Sequence, residues 1–284
     1  MVVAQRIGEV RQEVRAARAR GARVGLVPTM GALHEGHASL LRAARADGGL
    51  VVASIFVNPT QFGPTEDLAK YPRPLERDLE ICRREGVGLV FAPSAAEMYP
   101  AGFATTVHVG RMTEKMCGAF RPGHFDGVCT VVAKLLAIAR PDTAYFGEKD
   151  AQQLAVVRRM AADLDLGVEI RGCPTVREPD GLAMSSRNAY LSPAERRQAL
   201  ALSRSLAEVR EAVLAGERGA GRLAAQVQQR LEAAEGVDLQ YVAVVDPDTL
   251  EDLGRVGDRV LVAAAAKVGA TRLIDNVVLR GLKV

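Results

Sequence analysis

Two of the four histidines in the 284-residue chain, His34 and His37, stand three positions apart in VPTMGALHEGH, residues 27–37, directly behind a short apolar run. The run reads as a strand, Gly31 permits a tight turn, and helical spacing begins near Glu35. Unpaired amides at a helix amino terminus carry partial positive charge and bind anions. Residues three apart on a first helical turn point the same way, so both imidazoles could donate hydrogen bonds to one phosphate chain. Taken alone, the pair is more simply read as two surface histidines. Zinc fits less well, because a helical HExxH places its histidines at i and i+4. Here the spacing is HEGH, and only His108 and His124 remain as further ligands.

Three other clusters carry groups suited to anions or polar substrates. FVNPTQF places Asn58 and Gln61 on either side of a proline that ends a strand, which ordinary turn chemistry also explains. YFGEKDAQQ follows another strand and opens a helix; Lys149 is a compact cation suited to a phosphate or carboxylate, with Gln153 one turn on. MSSRN, residues 184–188, supplies Ser185, Ser186 and Arg187, two hydroxyls and a guanidinium that suit terminal phosphates, with Gly181 as a hinge nearby. A polar linker would read the same way. RPGHFDGV, residues 121–128, is a glycine-punctuated turn before a helix, with a structural role only. No Walker A loop is present, since GAFRPGH has the glycine spacing without the lysine.

The elements that must position these groups alternate. Strand-like runs occur near residues 23–29, 50–57, 87–93, 143–146 and 168–172, with helical patterns around 36–46, 74–86, 126–140 and 148–163. Val3, Ile7, Val10 and Val14 recur at helical spacing and predict an amino-terminal surface helix. Such alternation implies an α/β, Rossmann-like parallel sheet with helices on both faces, whose ligands bind beyond the carboxyl ends of the strands. Residues 177–191 show neither period, and a loop of that length is usually functional or disordered. SPAE then starts a helix, with Ser192 as N-cap, Pro193 at the first position and Glu195 closing a capping box; the helix runs to about Gly216. A second helix over 220–234 and three strands complete a smaller carboxyl-terminal α+β unit, giving expected domains of 1–183 and 184–284.

Composition excludes several classes. Lys and Arg number 37 against 34 Asp and Glu, a net charge of +3 that provides no footprint for nucleic acid as the main partner. No apolar run approaches the roughly 18 residues of a membrane helix, and VCTVVAKLLAIA is cut by Lys134. The amino terminus lacks a secretory signal pattern, and the four scattered cysteines, with no CxxC pair, fit a reducing cytoplasm.

Taken together, PTMGALHEGH, FVNPTQF, RPGHFDGV, GEKDAQQL, PTVREPDGLAMSSRN and TRLIDN, in this order between Val24 and Asn276, resemble the pantoate–β-alanine ligase family of the HIGH-type nucleotidylyltransferase superfamily. The resemblance implies ATP-dependent condensation of (R)-pantoate with β-alanine through a pantoyl-adenylate, releasing AMP and pyrophosphate, with Mg²⁺ on the nucleotide. It implies an ATP site from Met30, Gly31, Ala32, Leu33, His34, Glu35, Gly36, His37, Gly147, Glu148, Lys149, Asp150, Val176, Met184, Ser185, Ser186 and Arg187. Of these, His34, His37, Lys149 and Arg187 are the expected catalytic residues. Gly147 and Asp150 would sit near the ribose and the Val176 backbone near adenine. Gln61 and Gln153 would read pantoate, Gln61 bordering the β-alanine site too, with Asn58 as a further substrate contact. A cytoplasmic homodimer is also implied. Asp78 could be an outer Mg²⁺ ligand, though a solvated helix carboxylate is the simpler expectation. Rival readings are another transferase of the superfamily, a non-catalytic nucleotide sensor and a metal-dependent hydrolase.

Overall fold

The structure, a computed structural model, describes residues 1–64 and 66–283. In chain order the strands are β1 (Val2–Ala4), β2 (Val24–Thr29), β3 (Leu50–Ile55), β4 (Leu89–Phe91), β5 (Thr143–Gly147), β6 (Glu169–Cys173), β7 (Val237–Val245), β8 (Arg259–Val268) and β9 (Thr271–Arg280). The helices are α1 (Ile7–Ala19), α2 (Glu35–Ala46), α3 (Leu75–Arg84), α4 (Ala95–Met98), α5 (Cys117–Phe120), α6 (His124–Ala139), α7 (Ala151–Asp163), α8 (Pro193–Leu214) and α9 (Ala220–Glu232). They resolve into two compact units: Met1–Glu114 with Gly118–Glu148 and Val156–Pro174, and Lys115–Cys117 with Lys149–Ala155 and the chain from Thr175 onward.

The first unit is built on a six-stranded parallel sheet of order β1-β4-β3-β2-β5-β6. Val24–Thr29 reads VGLVPT and Leu50–Ile55 reads LVVASI, near-continuous apolar runs that suit strands covered on both sides. α1 and α6 cover one face, α2 and α3 the other. Leu40, Leu41 and Ala44 of α2 meet Val27, Val51, Ala53 and Val90 in a core with all seven residues buried. β2 has β3 on one side and β5 on the other, so the chain order reverses at the β2–β5 boundary. A crevice opens at such a switch point, beyond the strands' carboxyl ends. The segments that begin at Met30, Phe56 and Glu148 all leave the sheet at that end.

The amino terminus departs from the sequence expectation. Val3 belongs to an edge strand, paired in parallel with Val90, and the helix starts only at Ile7. Three residues are too few for a strand period to register, and the helical spacing of Val3 with Ile7 is fortuitous. Glu9 marks the true start, its carboxylate accepting from the Gln5 and Arg6 amides at 2.9 and 3.0 Å.

In the second unit β7, β8 and β9 form an antiparallel sheet in that order. Val260, Val262, Ala264, Ala266 and Val268 alternate along β8 into a core with Leu202, Leu206 and Val209 of α8 and Leu223, Val227 and Leu231 of α9. The capping box at Ser192 and Glu195 forms as its residues dictate, with Pro193 in the first turn. Residues 177–191 are more ordered than their lack of period suggests. Arg177 and Ala183 make an antiparallel bridge across a turn at Gly181, and Ser186–Tyr190 form a 3-10 helix.

Candidate active site

After Thr29 the chain must turn sharply to start α2. Gly31 and Ala32 both take the left-handed conformation, with φ of +84° and +50°. A Cβ at Gly31 would lie 3.0 Å from an Asp78 carboxylate oxygen and 3.1 Å from Ile55, so the position demands glycine twice over. Asp78, in the first turn of α3, braces this bend. Its two oxygens accept from the Ala32 amide at 2.8 Å and the Leu33 amide at 2.7 Å. It is only 1 % exposed, which corrects the expectation of a solvated helix carboxylate: both oxygens are committed to backbone amides. Burial pushes its pKa up, against the pull of the Leu33 and Ala32 hydrogen bonds.

The two histidines then start the helix themselves. His34 is the N-cap, its Nδ1 accepting from the Gly36 amide at 3.1 Å, while the His34 amide donates to His37 Nδ1 at 3.2 Å. A backbone N–H can only donate, so both Nδ1 atoms are acceptors and each neutral ring carries its proton on Nε2. The rings lie 4.1 Å apart between centroids at the positive end of α2. Two N–H donors side by side at that end suit adjacent phosphate oxygens. Glu35 is engaged with Arg42, which also pairs with Glu85 at 3.3 Å.

Beyond β3, Asn58 and Gln61 are buried at 1 and 8 % exposure. Asn58 Nδ2 donates to Gln61 Oε1 and to the Gly127 carbonyl, each at 3.1 Å, and Asn58 Oδ1 accepts from Tyr99 at 2.8 Å. Gln61 Nε2 meets Met30 Sδ at 3.0 Å, which ties the second cluster to the turn after β2. The Gln61 carbonyl is gripped in turn, accepting from His124 Nδ1 at 2.8 Å and Arg121 at 3.3 Å. Arg121 is itself fixed by Glu66 at 2.7 and 2.5 Å. Burial raises the Glu66 pKa, but the Arg121 hydrogen bonds and charge outweigh it, leaving a net lowering. A Cβ at Gly127 would come within 2.5 Å of the Thr60 carbonyl oxygen, so glycine lets α6 approach the 59–61 turn. RPGHFDGV therefore positions Gln61, a role its residue types do not disclose; a glycine in the interior of a helix is the available signal.

In the second unit, Lys149, Asp150 and Gln153 are half-buried around the start of α7. Val176 and Met184 face each other across the short hairpin, the Met184 amide donating to the Val176 carbonyl at 3.0 Å. Ser185 caps the next turn, its Oγ accepting from the Arg187 amide at 3.3 Å, so Ser185, Ser186 and Arg187 share one turn. Buried Asn188 holds this turn to the hairpin through the Ala183 carbonyl at 3.1 Å and Glu178 at 2.6 Å. The structure thus gathers Met30, Gly31, Ala32, Leu33, His34, Gly36 and His37 with Gln61 and Asn58 in the first unit, where Gly147 ends β5 and Glu148 opens the 3-10 turn after it. Lys149, Asp150, Gln153, Val176 and residues 184–187 fall in the second. All four cysteines are buried free thiols, and burial pushes Cys82 to about 11 and Cys129 to about 12, which leaves both inert as nucleophiles.

Residues 2–278 match the family described as pantoate-beta-alanine ligase. The pantothenate synthetase of Moorella thermoacetica is 56% identical over 279 residues, covering 98% of this chain and 99% of that protein. A crystal structure of pantothenate synthetase from Thermus thermophilus superposes with a TM-score of 0.92 at 48% identity, covering 98% of this chain and 99% of its own. Pantoate-beta-alanine ligase from Francisella tularensis, solved in complex with beta-gamma ATP and beta-alanine, gives a TM-score of 0.77 at 33% identity, covering 98% of this chain and 97% of that one.

Proposed function

The chain belongs to the pantoate–β-alanine ligase family, and from that premise we propose that it joins (R)-pantoate to β-alanine in two steps, through an enzyme-bound pantoyl-adenylate. In the first, a pantoate carboxylate oxygen attacks the α-phosphorus of ATP, and the bond to the β-phosphate breaks to release pyrophosphate. In the second, the neutral amine of β-alanine attacks the acyl carbon; AMP leaves, and the amine gives up a proton as the amide forms. A carboxylate is already ionised at neutral pH, so the first step needs no strong base. Its demands are the alignment of two anions and the stabilisation of charge spreading onto phosphate oxygens.

The observation that supports this reading best is the histidine pair, each ring turned by a backbone amide at Nδ1 so that Nε2 is the donor. His34 and His37 bind the phosphates, His37 donating to the oxygen on which charge develops. Lys149 lies between the carboxylate and the α-phosphate and lowers their repulsion. Ser185, Ser186 and Arg187 take the β- and γ-phosphates, with Arg187 bidentate. The Met30–Leu33 turn, Gly36, Gly147, Glu148, Asp150, the Val176 backbone and Met184 complete the nucleotide site. Gln61 and Gln153 read pantoate without competing charge, Gln61 next to β-alanine, and Asn58 keeps Gln61 in place. ATP enters as its Mg²⁺ complex, the cation carried on phosphate and water oxygens. Asp78 is not assigned to it, since both its oxygens are engaged with amides. The family resemblance further implies a cytoplasmic homodimer, which sedimentation of the purified protein tests.

ATP–pyrophosphate isotope exchange with (R)-pantoate present and β-alanine absent tests the reaction. Exchange that depends on pantoate is expected. ATP binding without such exchange would refute the adenylation step.

A further inference from the structure

TRLIDN, residues 271–276, lies far along the chain from every residue given a role in the reaction. Its last two residues nevertheless hold two of the segments that carry such roles, all within one compact unit. Asp275 and Asn276 are 3 and 6 % exposed in the middle of β9. The Asp275 carboxylate receives both arms of Arg177, at 2.7 and 3.0 Å. Arg177 follows Val176 directly, and its guanidinium also donates to the Gly181 carbonyl at 3.1 Å. That one side chain therefore ties the first arm of the hairpin that leads to Ser185, Ser186 and Arg187 both to the hairpin's turn and to β9. The Asp275 hydrogen bonds raise the Arg177 pKa further. Next along the strand, Asn276 Nδ2 donates to the Lys149 carbonyl at 2.8 Å.

Asp and Asn are poor strand formers, and burying them has a cost that leucine or valine would not carry. Side chains of consecutive strand residues leave on opposite sides, so one rigid strand can grip two segments in a fixed relation. We propose that Asp275 and Asn276 are positioning residues for adenylate formation: Asp275 sets the hairpin that carries the adenine contact and the phosphate turn, and Asn276 sets the backbone from which Lys149 extends. The assignment rests on the adenylation reading.

Pantoate-dependent ATP–pyrophosphate exchange, measured over a range of ATP concentrations with the melting temperature of each protein, tests it in the unmodified chain, Asp275→Asn and Asn276→Ala. A misplacement of about 1 Å costs on the order of 100-fold in rate, so Asn276→Ala lowers the maximal exchange rate by roughly 10- to 100-fold while the KM for ATP stays nearly constant. Asp275→Asn weakens a charge-assisted pair and raises the KM for ATP roughly tenfold, with the smaller effect on maximal rate. Asn276→Asp, the same shape without the donor, repeats the Asn276→Ala result should alanine prove unstable. Parallel changes in rate and KM that merely track melting temperature, or full exchange in both variants, would overturn the positioning role. Absence of exchange in the unmodified protein is a different failure, since it removes the adenylation reading and the assignment with it.

Discussion

Asp78→Asn isolates the brace beneath the turn that carries the histidines. The carboxylate accepts two backbone amides, at 2.8 and 2.7 Å, from a site that is 1 % exposed. Asparagine has the same shape but one acceptor oxygen, and its NH₂ would face the second amide donor. One charge-assisted hydrogen bond is lost and a buried donor is left unmatched, at a gross cost of about 2–4 kcal/mol. Relief of the buried charge, the same burial that raises the Asp78 pKa, offsets part of this. A net cost of about 2 kcal/mol corresponds to roughly 30-fold in the population of the formed turn. Initial rates of AMP formation at saturating pantoate and β-alanine, with urea unfolding alongside, measure both consequences. The expected outcome is a fall of roughly 10- to 50-fold in kcat/KM for ATP, within the range set by that free energy. An unchanged kcat/KM in a destabilised variant would refute the idea that phosphate binding depends on this turn. Unchanged stability would refute the brace itself.

Three further outcomes are expected. Gly127→Ala forces a Cβ to within 2.5 Å of the Thr60 carbonyl oxygen and 2.6 Å of the Gln61 amide; overpacking of this kind costs about 1–3 kcal/mol, and pantoate saturation curves will show a raised KM. Lys149→Ala abolishes pantoate-dependent exchange while calorimetry still detects ATP binding; near-normal turnover would remove Lys149 from the first step. Glu217 has its pKa lowered to about 2, first by the Arg222 side chain and then by the Gly219 amide. A depressed pKa means that the stability it contributes is complete above the ordinary glutamate value of about 4.3 and is lost as the pH falls from there towards 2. Glu217→Gln will therefore flatten the stability profile across that acid window and leave its shape near neutrality unchanged.

The parallel sheet is legible in the sequence because its central strands are near-continuous apolar runs and the helices between them amphipathic over ten residues or more, as in Val24–Thr29 and Glu35–Ala46. The edge strand Val2–Ala4 is not, since three residues show no period and its partner Val90 lies far along the chain. The histidine pair at a helix start is readable from spacing, but the atoms that turn each ring are backbone amides, which carry no residue signature. Asp78 is misread from sequence for a related reason. An acidic residue in a first helical turn ordinarily faces water, and only the fold brings it to amides 45 and 46 positions away. The Gln61 carbonyl, held from α6 across more than sixty residues, is invisible in the same way. Local period and turn chemistry travel in the sequence; long-range contacts to main-chain atoms do not.

The capping arrangement at α2 also restricts what evolution or engineering could place there. Each imidazole is at once an acceptor for the backbone and a donor on its far side, a combination that only the uncharged ring offers. Lysine or arginine would bring a full positive charge to a triphosphate but no lone pair to the helix start, so a stronger electrostatic grip would fray the element that aims it. Acidification acts on the same conflict: a proton gained at Nδ1 strengthens attraction for the anion and removes the acceptor for the Gly36 or His34 amide at one stroke. On the proposed reading Nδ1 holds the helix start and Nε2 meets the anion, so a change that adds positive charge to either ring weakens the start of α2.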